Sequence, residues 1–486
     1  MLPGAPKVRR RRRRGWFAAA AGLVLVGGVL VGTAVAVDGG SEVATGTDAT
    51  SRLGTPVLSA RRDPELLGRP VALRSVRSAI DPIVARYPDA SCVVVTDGAT
   101  SLAASGATTP LAPASNTKLL TASAALHVLG ADTRLETRVQ SVGAPTGGRV
   151  AGDLYLVGGG DPLLSTATAA SRMRHGTEPT TSLETLADQV VAAGVRQVDG
   201  AVVGDGSRYD AERKVPTWPQ RYITEGTASN LGALMVNDAW TIDPVDASAG
   251  GGAAAPDPAA HAAEVFTRLL RDRGVAVTGT PTVGAAPADA TTVATLPSAT
   301  VGEIVDQMLA FSDNTTAELL VKELAAHDGS TGSTAAGIQV LVADLTSRGL
   351  PVEGLQLFDG SGLSRENRTT CTLLDAVLSA DGADGPISGG LARPGAPGTL
   401  DDRFLAEPLR SRVEAKTGTL NDVTALSGWV RTDSGRPLAF STLQNPAGRR
   451  VTAADLALQG ELLQALLTYP QTPPVEQLAP AAPVPV

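Results

Sequence analysis

Between about Thr137 and Thr295 the chain abandons helical apolar spacing for short strands and tight turns, and at Val301 the helical spacing returns. Residues 72–85 and 119–129 carry the helical pattern before the switch, and 301–311, 315–326 and 338–347 carry it afterwards. The run 152–157, followed by Gly158-Gly159-Gly160-Asp161-Pro162, reads as a strand ending in a turn. A pattern that stops, yields to another and resumes predicts one domain with a second inserted into it. At 486 residues the chain is long enough for both. The expected division is a first domain built from 66–138 and 296–468, with 139–295 as the insert.

The ends have a different character. Lys7 and six arginines at 9–14 precede the first acid, Asp38, and residues 16–37 between them carry no charge. As a helix this apolar stretch would measure about 33 Å, enough to cross a bilayer, and the arginines at 1–15 would keep its start in the cytoplasm. The body is therefore expected outside the cytoplasm. Ala34-Val35-Ala36 also has the small-x-small form of a cleavage site, so 16–37 reads either as an uncleaved membrane anchor or as a signal peptide. Residues 38–65 read as a linker, and 469–486, with six prolines, as an extended tail.

The chain holds 41 Lys and Arg against 49 acids, and seven of those basic residues precede Asp38, so the body is acidic and nucleic acid is not an expected partner. Aromatics, at 3%, leave cores of Ala, Val and Leu. Cys92 and Cys371 could pair in an oxidising compartment or remain buried thiols, and spacing does not decide. With two cysteines and four scattered histidines in no ligand spacing, neither a metal nor another cofactor is expected.

Three short motifs follow in order: Ser115-Asn116-Thr117-Lys118, Ser312-Asp313-Asn314 and Lys416-Thr417-Gly418-Thr419. Each alone is a common helix-start or turn pattern, but together they are the set found in β-lactamases and penicillin-binding proteins. The chemistry is coherent. A serine hydroxyl needs a neighbouring base, and residues i and i+3 of a helix share a face, so Lys118 can reach Ser115. Burial and a second cation, Lys416, would depress the Lys118 pKa. Ser115 at a helix start offers its own N–H to an oxyanion, with an N–H near Thr419 as the second donor. Ser312 is expected to relay a proton and Asn314 to hold the substrate amide. Lys416, Thr417 and Thr419 would bind a carboxylate, and Gly418 would let substrate lie against the strand.

The contexts of these motifs, with Asp359-Gly360-Ser361-Gly362-Leu363-Ser364-Arg365-Glu366-Asn367-Arg368, closely resemble the D-alanyl-D-alanine carboxypeptidase/endopeptidase family of class C low-molecular-mass penicillin-binding proteins. The resemblance runs from about 70 to 465, and that family carries extra domains between its first and second motifs. It implies an α+β fold, a serine β-lactamase/penicillin-binding-protein domain with an antiparallel sheet covered by helices. It also implies acyl transfer to Ser115 with loss of D-alanine and hydrolysis of the acyl-enzyme, peptidoglycan peptides ending in D-Ala-D-Ala as substrate, and acylation by β-lactams. One departure is the segment Leu391-Ala392-Arg393-Pro394, where the family usually has proline second and an aliphatic residue third.

Two other readings stay open on sequence alone. A β-lactamase or esterase would need a hydrolytic glutamate that the sequence does not place, and a non-catalytic wall-binding protein would have no use for the intact motifs. A Ser-His-Asp hydrolase is excluded, because no G-x-S-x-G elbow is present.

Overall fold

The computed structural model describes residues 64–171, 178–242 and 253–471. The predicted cytoplasmic segment, the anchor or signal at 16–37 and most of the predicted linker lie outside the described residues. Among the described residues no helix is long and apolar enough to cross a membrane.

Ten strands make two five-stranded sheets. In chain order they are β1 (Ser91–Asp97), β2 (Thr100–Ser105), β3 (Arg134–Val142), β4 (Leu154–Val157), β5 (Val202–Asp205), β6 (Thr282–Val283), β7 (Ala290–Thr300), β8 (Val413–Leu420), β9 (Val423–Arg431) and β10 (Pro437–Gln444). The helices used below are α1 (Pro64–Val84), α2 (Thr117–Ala124), α3 (Leu183–Ala192), α4 (Pro258–Asp272), α5 (Val301–Phe311), α6 (Asn314–Ala326), α7 (Thr334–Ser347), α8 (Cys371–Asp381) and α9 (Ala453–Leu466).

The first sheet runs β8-β9-β10-β1-β2 and is antiparallel throughout, with Val94 opposite Ser441 and Lys416 opposite Ser427. Side chains alternate across a strand, and here both faces are covered. Cys92 and Val94 of β1 join a core with Leu119 and Leu120 of α2, Met308 of α5, Leu320 of α6 and Leu374 of α8. Val93 and Val95 face the other way, onto Val76 and Ile80 of α1 and Leu462 and Leu466 of α9. Two-sided burial explains why 91–96 reads as a continuous β-branched run rather than an alternating one.

The second sheet, β6-β5-β4-β3-β7, is mixed: β6, β5 and β4 are parallel, while β3 pairs antiparallel with β4 and with β7. Its core packs against Leu186 and Val190 of α3 and Phe266 and Leu270 of α4. The predicted boundaries at 138/139 and 295/296 fall inside β3 and β7, which pair with each other from Arg134↔Thr300 to Val142↔Ala290. The chain thus leaves and re-enters the helical part along two adjacent strands. At the other end Tyr469, assigned to the tail from sequence, is buried in the sheet core and donates to Asp97 Oδ2 at 3.1 Å.

Cys92 of β1 and Cys371 of α8 form a disulfide, which settles the pairing that spacing left open. The bond joins residues 279 apart in sequence.

Candidate active site

A short 3₁₀ turn, Ala114–Asn116, runs directly into α2 and carries Ser115 half-exposed among buried neighbours. Ala114 has φ 47°, a left-handed conformation that costs a non-glycine residue energy and is typical of functional sites. Two bonds hold the turn: Asn116 Nδ2 donates to Ser427 Oγ on β9 at 2.7 Å, and Thr117 Oγ1 donates to Ala114 O at 2.9 Å. Ser115 is therefore presented from a rigid corner.

Lys118 is fully buried, and its Nζ lies 3.2 Å from Ser115 Oγ, 2.8 Å from Asn314 Oδ1 and 2.7 Å from the Ser361 carbonyl. An ammonium fills these three positions with three donated protons. A neutral amine fits as well, donating to Asn314 and Ser361 while its lone pair accepts the Ser115 hydroxyl proton. Burial lowers the Lys118 pKa to about 8, and the acids Asp359, Asp313 and Glu318 keep it from falling further.

The second motif sits at the junction of α5 and α6. Ser312, with φ 60°, closes α5 in a left-handed conformation. Asp313 caps α6 by accepting from Thr316 N at 2.9 Å, a bond worth about 1 kcal/mol. Asn314 spans two elements, because its Nδ2 donates to Thr227 O at 2.7 Å while its Oδ1 meets Lys118.

The third motif lies on β8, the edge strand of the first sheet, with Thr417 half-buried and Thr419 exposed. Lys416 is fully buried and donates to its neighbour's carbonyl, Thr417 O, at 3.0 Å. Burial, reinforced by the Lys118 charge, holds its pKa well below the usual lysine range. A side chain at position 418 would meet Pro113 O at 2.9 Å and Ser115 N at 3.2 Å. Glycine there lets β8 pack onto the serine turn, which differs from the expected clearance for substrate.

The segment 359–367, quoted above for its resemblance without a role, forms the remaining wall. Asp359 Oδ1 accepts from Gly362 N and Asn367 Nδ2, and its Oδ2 accepts from Ser364 N and Trp218 Nε1, at 2.5–2.9 Å. Glu318 Oε1 accepts from Gly360 N at 3.0 Å and Ser361 N at 2.8 Å. Ser361, Glu318 and Thr227 touch the lysine network or its immediate supports, and sequence reading assigned none of them. Two of these contacts are made by backbone carbonyls, which leave no residue-type signal. Among the described residues no group of three or more His, Cys, Asp or Glu could hold a metal ion.

The D-Ala-D-Ala carboxypeptidase 3 (S13) family model matches residues 77–257 and 244–461, and so takes in all three motifs. The chain belongs to this family of serine hydrolases. A D-alanyl-D-alanine carboxypeptidase of Actinomadura sp. is 33% identical over 477 residues, covering 82% of this chain and 85% of its own. Carboxypeptidase DacB of Mycolicibacterium smegmatis is 32% identical over 352 residues, covering 71% and 73%. In fold the chain is similar to penicillin binding protein 4 (dacB) from Haemophilus influenzae, with a TM-score of 0.69 at 21% identity, over 80% of this chain and 99% of that one. The penicillin-binding fold expected from the motifs is the observed one.

Proposed function

We propose that the chain hydrolyses the terminal D-alanyl-D-alanine bond of peptidoglycan peptides through an acyl-enzyme on Ser115, and that β-lactams acylate the same oxygen. The observation that carries this reading is the three-way coordination of Lys118 Nζ by Ser115, Asn314 and Ser361, which only a buried amine of lowered proton affinity can turn into a base.

Ser115 Oγ attacks the penultimate carbonyl carbon and its proton passes to Lys118 Nζ. The oxyanion is held by the Ser115 N–H and the Thr419 N–H on β8. Ser312 relays a proton to the leaving amine, the C–N bond breaks and D-alanine departs. Asn314 orients the substrate amide. The Thr417 and Thr419 hydroxyls reach the substrate carboxylate directly, while Lys416 beneath them contributes charge when that carboxylate raises its proton affinity. Water then cleaves the ester and restores Ser115. Replacing D-alanine by the amine of a second stem peptide gives cross-link cleavage by the same steps.

The Cys92–Cys371 disulfide supports a location outside the cytoplasm, where such bonds persist. Residues 16–37 would supply export and, if uncleaved, attachment to the membrane.

Release of D-alanine from an N-acylated peptide ending in D-Ala-D-Ala, compared with the same peptide ending in L-Ala-L-Ala, tests the proposal. Release from the first alone is expected. Release from neither would overturn it.

A further inference from the structure

Glu318 is fully buried on α6, one turn beyond Asn314. Its Oε1 takes two successive backbone N–H groups, Gly360 and Ser361, while Oε2 is buried without a hydrogen-bond partner. These two N–H groups fix the peptide units on either side of residue 360, and the next unit, whose Gly362 N–H donates to Asp359 Oδ1, presents the Ser361 carbonyl 2.7 Å from Lys118 Nζ. A carboxylate has four lone-pair sites, and burying one with half of them unused is costly. The protonated acid has the smaller desolvation cost here, and burial together with Asp359 pushes the Glu318 pKa up to about 8.

We infer that Glu318 is a positioning residue for the acylation base: together with Asp359 it holds the 360–362 backbone that turns the Ser361 carbonyl onto Lys118, and its charge state governs how readily Lys118 gives up a proton. The inference rests on the functional reading above. The charged groups facing this pair are Asp359 from the 359–367 segment, Asp313 at the start of α6, and Lys416 from β8, which faces Lys118. An ionised Glu318 adds negative charge beside Lys118 and holds its proton. A neutral Glu318 keeps the backbone contacts and releases that hold.

The test compares the full chain in detergent with E318Q and E318A, measuring the second-order rate of acylation by benzylpenicillin between pH 5 and 10. In parallel, the Lys118 13Cε resonance is titrated in lysine-labelled protein, assigned by a Lys118→Arg control among the five lysines of the chain. Glutamine keeps the acceptor and is permanently neutral. In E318Q the rising limb of the rate profile and the Lys118 midpoint should both move to lower pH, with the high-pH plateau within about threefold of wild type. E318A, which strands two buried N–H groups, should lose at least about tenfold on the plateau. An E318Q whose limb and Lys118 midpoint match wild type would overturn the inference, as would a plateau loss in E318Q equal to that of E318A. If wild type is not acylated at all, the peptidase reading fails, and the Lys118 midpoint in E318Q still decides the role of Glu318.

Discussion

Asn314 reaches from the start of α6 to the Thr227 carbonyl, 2.7 Å away, and so ties the amide that touches Lys118 to a residue of the region between the first and second motifs. That region therefore helps to hold the surroundings of Lys118. Trp218 makes a second tie, donating through Nε1 to Asp359 Oδ2 at 2.7 Å.

The Asn314 bond makes its orientation testable. Asn314→Asp can still accept from Lys118, but it sets a carboxylate against the Thr227 carbonyl and adds negative charge beside the base. Lys118 then holds its proton more tightly. The acylation rate at pH 7 should fall about 10- to 100-fold, with the rising limb of its pH profile moved to higher pH. A stopped-flow pH series on wild type and variant measures both effects.

Lys118 gives the pH dependence of the wild type. Only the neutral amine accepts the Ser115 proton, so with a pKa lowered to about 8 the acylation rate should rise with pH up to that region and level above it. Lys118→Arg cannot deprotonate in the working range and should lose about 10²- to 10⁴-fold at every pH. Rates flat from pH 6 to 10 in wild type would argue against lysine as the base.

Gly362 has φ 87°, and a side chain there would come within 1.9 Å of Ala114 O and 2.9 Å of Thr117 Oγ1. Gly362→Ala must therefore displace the serine turn or the Ser361 carbonyl. Acylation should fall at least about 100-fold, since small displacements of reacting groups are costly on that scale. Gly98→Ala provides the comparison, because its φ of 54° is also left-handed but nothing lies within 4 Å. It should cost about 1 kcal/mol of stability and leave acylation unchanged.

The disulfide joins β1 to α8 across a sequence separation of 279. Denatured, unreduced protein should show no thiol toward a thiol reagent and two after reduction. Cys92→Ala with Cys371→Ala should lower stability by about 2–4 kcal/mol, read as a fall in Tm by thermal unfolding.

What the sequence made legible follows from what kind of group does the work. The roles proposed for Ser115, Lys118, Asn314 and Lys416 rest on side chains at fixed spacing, so their motifs can be read along the chain. Ser361 and Thr227 act through carbonyls that any residue could supply, and Glu318 looks like one more polar residue of a helix. The antiparallel sheet covered by helices was implied by the family resemblance, and from the residues themselves only the 91–96 strand and its turn were legible; strand periodicity does not tell which sheet a strand joins, so the expected boundaries lie inside β3 and β7. The depth of Lys416 was equally hidden, because it is set by packing against residues far away in sequence.

Ser115 as the acylated nucleophile is most directly tested by intact mass. The full chain and a Ser115→Ala variant would be mixed with benzylpenicillin and followed over time, with the adduct located by peptide mapping. A long-lived adduct of one penicilloyl group on the peptide containing Ser115, absent from the variant, is the predicted result. An adduct that persists in Ser115→Ala, or no adduct at any time with the antibiotic left intact, would contradict the assignment.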